Sequence, residues 1–194
     1  MYSVNDRYKE SKVMEQQSYR EILREIALDN YGYVTTREAI AVGVPAGELA
    51  KLARRRKGEL ENIGYGLYRD TSVPETPLGY LAEAVLRSGK DAYLHRESVL
   101  AMHNLASINP RHIKVASPRP TRSPLPRSIQ LTKVEGKDKI TMYEGIPAQP
   151  VADAILECRK EVEPSRLKQA AQEARSQGLI MSAEWKKLEK ELSR

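Results

Sequence analysis

The stretch from Pro45 to Arg69, PAGELAKLARRRKGELENIGYGLYR, admits few local structures, because a helical hydrophobic period gives way within it to a strand-like one around closely spaced glycines. At about 100° per residue, Leu49, Leu52, Ala53 and the stem of Arg56 share one face of a helix, whereas Gly47, Ala50, Lys51 and Arg54 lie opposite. Beyond Gly58, the residues Leu60, Ile63, Leu67 and Tyr68 flank Gly64-Tyr65-Gly66, where glycine supplies the positive φ of a hairpin turn. The stretch therefore predicts a basic helix from Pro45 to Lys57 leading into a two-stranded hairpin.

Upstream, Tyr19, Ile22, Leu23, Ile26 and Ala27 recur at helical spacing and predict an amphipathic helix over 18–30. Thr35 stands three residues before Glu38, the spacing of a capping box, and opens a second helix carrying Ala39, Ile40 and Val42 that Gly43 closes. Helix, helix, short turn, helix and hairpin form the order of a winged helix-turn-helix, whose last helix can lie in a major groove. In such an arrangement Lys51 and Arg54 reach base edges or phosphates, while Gly47 and Ala50 allow close approach. Thr35, Thr36 and Arg37 hold the backbone at a helix N-terminus, and Arg55, Lys57, Tyr65 and Arg69 complete the expected contact set.

Local charge agrees with this better than global charge does. Residues 1–70 hold 12 Lys and Arg against 11 Asp and Glu, but KLARRRK at 51–57 has five cations and no anion. The whole chain carries +6, which favours an anionic partner without naming one.

The run from Tyr31 to Arg69 resembles the N-terminal winged-helix domain of AbiEi-type antitoxins, from abortive-infection toxin-antitoxin operons. The matching positions are Gly32 to Thr36, Ala39, Gly43 to Pro45, Leu49 to Arg55, Gly58 to Leu60 and Gly66 to Tyr68. Farther on, Ala92 to Ser98 through Leu105, His112 to Ser117, and Gly145-Ile-Pro147 leading into Val151 to Asp153 resemble that family's C-terminal domain. The resemblance implies an antitoxin that binds inverted repeats of operator DNA and represses its own transcription. It also implies a C-terminal domain that counters a cognate toxin of nucleotidyltransferase fold. Wings of that family carry basic tips, whereas this one has Glu59, Glu61, Asn62 and Tyr65, so the load shifts to Lys51, Arg54, Arg55 and Lys57. The competing expectation is a protein-interaction module that neutralises a partner by direct contact, with the winged helix as scaffold.

The expected fold class is α+β: a polar arm over 1–17, the winged helix over 18–70, a linker TSVPETP over 71–77, and a mixed α/β domain over 78–194 with a small sheet and several helices. In that second domain helices are expected from Leu78 to Gly89, His95 to Leu105, Pro150 to Lys160, from Pro164, and after a Ser182 cap. Strands are expected over 112–116, 128–134 and 139–143. Ala170, Ala171 and Ala174, followed by the stripe of Trp185, are expected to cover the domain's own sheet. SPRPTRSPLPR, with four prolines, reads as an extended solvated loop. It lies in a basic region, 111–139, including Arg111, Lys114, Arg119, Arg122 and Arg127. This region is open to a phosphate backbone, an acidic protein face, or solvent alone.

Enzymatic chemistry is not expected. His95 and His103, eight residues apart on one helix, would be separated by about 12 Å of rise and cannot share a metal. No phosphate-loop, nucleophile-elbow, zinc-protease or paired-cysteine spacing occurs. An acid-base pair of His95 with Glu97 would need a third group. The single cysteine, Cys158, aligns with Val151 and Ile155 as a core residue, and no metal or cofactor is expected. The first 17 residues lack the apolar run of a signal peptide, and no segment approaches the ~18 apolar residues of a membrane span. A soluble cytoplasmic chain without a membrane partner is expected.

Overall fold

The structure, a computed structural model, describes residues 18–55, 59–121, 123–135 and 139–193. The fold is α+β and divides into two compact units, 1–77 and 78–194.

The described part of unit 1 begins with α1 (Tyr19–Asp29), capped by Ser18 through a reciprocal box with Glu21. A strand, β1 (Tyr33–Thr35), follows, then α2 (Thr36–Ala41), α3 (Ala46–Ala53), and the hairpin of β2 (Leu60–Gly64) and β3 (Leu67–Asp70). The helix–turn–helix–hairpin order is that expected, with β1 added: it pairs antiparallel with β3, giving sheet order β1-β3-β2. Three residues is too short a run for alternation to show. The hairpin turn places Tyr65 at φ 44° and Gly66 at φ 76°, the two left-handed residues of a tight turn whose twist matches its strands. Leu23, Ala27, Val34, Ala39, Val44, Leu49, Leu52, Leu60, Tyr68 and Val73 form the core of this unit.

Two boundaries differ from expectation. The basic helix ends at Ala53 with Arg54 as its C-cap, short of the expected Lys57; Arg56, Lys57 and Gly58 lie outside the described residues, as does the 1–17 arm. The expected linker is partly built into unit 1, because Val73 is buried in its core and the Thr71 N–H donates to the Glu59 carbonyl.

Unit 2 contains α4 (Gly79–Ser88), β4 (Tyr93–Leu94), α5 (Glu97–Met102), a 3₁₀ turn (Leu105–Ser107), β5 (Ile113–Ser117), β6 (Ile129–Lys133), β7 (Thr141–Tyr143), β8 (Ile146–Ala148), α6 (Val151–Glu157), α7 (Pro164–Ser176) and α8 (Ser182–Leu192). The sheet runs β6-β5-β4-β8-β7; β5 with β6 and β4 with β8 are parallel, the other pairs antiparallel. A parallel return from β5 to β6 must span a strand length and usually uses a helix. Here the proline-rich segment between the two strands makes that return, with no helix among its described residues.

The helix expected over 95–105 is shorter at both ends. Leu94 pairs with Val115 and Ala148, and Arg96 sits at φ 50°, ψ −127°, so helical backbone starts only at Glu97. Asn104, Ala106 and Ser107 also have positive φ. This turn is held from α7: Arg166 Nη2 donates to the carbonyls of Ala106 and Ser107 at 2.8 Å each, and Glu173 Oε2 accepts from the Ala106 N–H at 2.6 Å. The small-residue face of α7 therefore packs against this turn and against α6 and α8, instead of covering the sheet as expected. Trp185 is half-buried, with the Arg175 guanidinium 4.7 Å from its ring centre. Ser182 is the first helical residue of α8 and not its cap; Glu184 closes back onto the Met181 N–H at 2.8 Å.

Candidate nucleic-acid interface

On α3, Leu49 is fully buried and Leu52 is 9% exposed, which turns the opposite arc to solvent. Gly47 and Lys51 are exposed on that arc, Ala50 is half-buried within it, and the C-cap Arg54 and Arg55 just past the helix are exposed as well. A Cβ at Gly47 would meet nothing within 4 Å, so no neighbour in the fold demands glycine there. Lys51 Nζ lies 2.6 Å from Glu48 Oε1, one turn back, with the Lys51 side chain 69% exposed. Arg37, at the start of α2, and Tyr65, at the hairpin tip, are also exposed.

Three expected contacts are committed inside the fold. Thr35 caps α2: its Oγ1 accepts from the Glu38 N–H at 3.2 Å and donates to Glu38 Oε2 at 2.6 Å. Glu38 also takes the Asn30 amide at 2.8 Å, so α1, β1 and α2 meet on one carboxylate. Thr36 donates from its backbone N–H (2.8 Å) and Oγ1 (3.1 Å) to the Gly66 carbonyl, hooking the hairpin turn to α2. Arg69 is turned inward: its guanidinium donates to the carbonyls of Gly32, Asp70 and Val73 and lies 5.3 Å from the Tyr33 ring centre. A group so occupied is a brace for the sheet and not a phosphate contact. Lys57 lies outside the described residues.

The second basic region is divided between buried and exposed members. Lys114 is largely buried and bonds Glu97 Oε1 at 2.7 Å, with exposures of 18% and 10% for the two side chains. Arg119 forms two bonds to Asp91 Oδ2, at 2.6 and 3.0 Å. Arg111 and Arg127 are exposed, and Arg122 lies outside the described residues.

A polar cluster that sequence spacing did not reveal sits where parallel β4 and β8 end. His95 Nε2 is 2.9 Å from Glu157 Oε2, and Gln149 Nε2 donates to Glu157 Oε1 at 2.7 Å. Arg96 reaches Glu161 at 2.6 Å and, through Nε, lies 3.5 Å from Glu157. Glu97, the sequence-expected partner of His95, instead faces Lys114. The signal was there only in part: residues 53 to 65 positions apart cannot be matched without the parallel β4–β8 pairing. A cleft of about 280 Å³ beside it is lined by Lys139, Gln149, Asp153, Leu156 and Glu157. Because each Glu157 oxygen already takes a hydrogen from the chain, the carboxylate ties α6 to the ends of both strands.

Cys158 is fully buried, and burial together with the carboxylates of Glu97 and Glu161 pushes its thiol up to about 12, the opposite of an activated nucleophile. Burial holds His103 below the usual imidazole range; its ring lies 4.3 Å from that of Tyr143. Among the described residues, no group of three His, Cys, Asp or Glu side chains is placed to hold a metal, and no helix is long and apolar enough to cross a membrane.

The exposed, largely cationic arc of α3, with the exposed Arg37 and Tyr65 elsewhere in unit 1, is therefore the most concentrated set of sequence-expected contacts that the fold leaves available. No family model matches this chain, and no curated protein matches it.

Proposed function

We propose that unit 1 is a winged helix that binds double-stranded DNA through α3, and that the chain is an antitoxin of the AbiEi type repressing its own operon. The observation that carries the reading is the solvent-facing arc of Gly47, Ala50 and Lys51 on a helix anchored by Leu49 and Leu52, continued past its C-terminus by the exposed Arg54 and Arg55. Such a helix presents cations and small residues where a major groove can receive it. Lys51 and Arg54 contact base edges or phosphates, Arg37 and Arg55 contact backbone, and Tyr65 flanks them from the hairpin. Glu61 on β2, with Glu59 just before it and paired to Arg20, keeps the hairpin from gripping phosphate as strongly as a basic wing does.

In this account the chain acts in the cytoplasm, without catalysis or a cofactor, and unit 2 serves to counter a nucleotidyltransferase-like toxin. A footprint of the full chain on the DNA upstream of its own coding sequence tests the proposal. Protection of an inverted repeat, with half-sites about 10 base pairs or a multiple apart, supports it. Absence of protection at low salt, together with capture of the neighbouring gene product, favours the scaffold reading.

A further inference from the structure

Glu48 is the one acidic residue of α3, AGELAKLA, and it lies on the edge of the arc just described. Its side chain is 30% exposed and its Oε1 accepts from Lys51 Nζ at 2.6 Å. An exposed pair one turn apart adds little to helix stability, and a first-turn carboxylate favours the helix dipole. Both effects suit a carboxylate at this position, yet it stands beside the cations that, on the proposed reading, face DNA. A duplex approached by Lys51 is approached by Glu48 too. Against phosphate that carboxylate is repelled; against bases it needs an amino donor.

The spacing of the pair suggests which one. In the major groove a C·G pair presents the cytosine N4 amino group beside guanine O6, a donor and an acceptor about 2.9 Å apart across their own hydrogen bond. Glu48 and Lys51 present an acceptor and a donor 2.6 Å apart. The two arrays are complementary, each carboxylate or ammonium finding its match without leaving its partner. An A·T pair also places a donor beside an acceptor, but adenine N7 next to the amino group repels a carboxylate, whereas guanine N7 gives the ammonium a second acceptor. Gly47 leaves the space alongside open.

Resting on the reading that α3 binds duplex DNA, we propose that the Glu48–Lys51 pair reads one C·G base pair in the major groove. Glu48 accepts from cytosine N4, Lys51 donates to guanine O6 and N7, and the carboxylate weakens binding to DNA of any other sequence. Glu48 is thus the selectivity residue of a helix whose other charges are attractive.

The test selects duplexes with a randomised central segment on the full chain, wild type against Glu48→Ala and Glu48→Gln. Salt titrations on one duplex of mixed sequence accompany it. Wild type is expected to enrich C·G at one position that Glu48→Ala no longer specifies, with discrimination there falling at least about 5-fold, the lower end for one good base contact. Glu48→Gln is expected to shift that position towards A·T, because an amide pairs with adenine N6 and N7. Both variants should bind the mixed duplex more tightly than wild type, with a salt slope steeper by about 1 as Lys51 is released to a phosphate. If wild type enriches a motif and both variants retain it with unchanged slopes, the pair reads nothing and the inference fails while DNA binding stands. If wild type enriches no sequence and binds the mixed duplex no better than bovine albumin does, the DNA reading itself falls.

Discussion

Gly32 and Arg69 illustrate how one residue's absence of a side chain makes room for another's. Gly32 has φ 86°, and a Cβ there would run into the Arg69 guanidinium. Gly32→Ala is therefore expected to lose about 1–3 kcal/mol of stability in urea unfolding, through both backbone strain and loss of the brace. Arg69→Ala should also lower the unfolding midpoint, while its DNA salt slope stays that of wild type. A slope lower by about 1 would return Arg69 to the phosphate contacts. A buried histidine gives the second prediction at this scale. With its folded pKa depressed by burial, His103 contributes stability that is present above its ordinary 6.5 and is lost as pH falls through that value and below. Replacing it with Gln should flatten the fall in urea midpoint between about pH 7 and pH 5; an unchanged profile would show that the imidazole is hydrated in the native chain.

At the scale of elements, the helices were readable wherever a hydrophobic face ran unbroken. Thr35 marked a cap, Gly43 and Gly89 helix ends, and Gly64-Tyr65-Gly66 the hairpin turn. What failed to show were strands too short to carry a period. Tyr93–Leu94 and Ile146–Ala148 exist because the sheet pairs them, and Pro147 in the second runs against strand propensity. Because β4 was invisible, so was the buried neighbourhood it organises, and Lys114 was assigned to a surface when its ammonium points at Glu97. On α3 and α2, composition placed Lys51, Arg54, Arg55 and Arg37 correctly in solvent. It had no means of telling that Thr36 and Arg69 bond carbonyls 30 and 37 residues away. The Lys114–Glu97 pair yields a prediction here. One Glu97 oxygen is buried without a bond, so removing the ammonium strands a charge. Lys114→Ala should cost about 3 kcal/mol in urea unfolding, and adding Glu97→Gln should recover part of it. A cost near zero for Lys114→Ala alone would mean that water already solvates the pair.

For the whole molecule, net charge is a poor guide and its placement a good one. The +6 balance arises largely outside unit 1, where basic residues such as Lys114 and Arg119 are matched by Glu97 and Asp91. Unit 1, close to neutral by sequence, carries the run KLARRRK from the last turn of α3 onward, five cations with no anion among them. Binding should accordingly be salt-sensitive yet governed by few residues. The most direct test is an anisotropy titration of the full chain on a fluorescent duplex from its own upstream region, at several salt concentrations. Wild type is compared with Lys51→Ala, Arg54→Ala and the two together. The account predicts a linear fall of log affinity with log salt in wild type. It also predicts a loss of about 1–3 kcal/mol for Arg54→Ala on this duplex, and the weakest binding in the double variant. Affinity and slope in the double variant equal to those of wild type would contradict it.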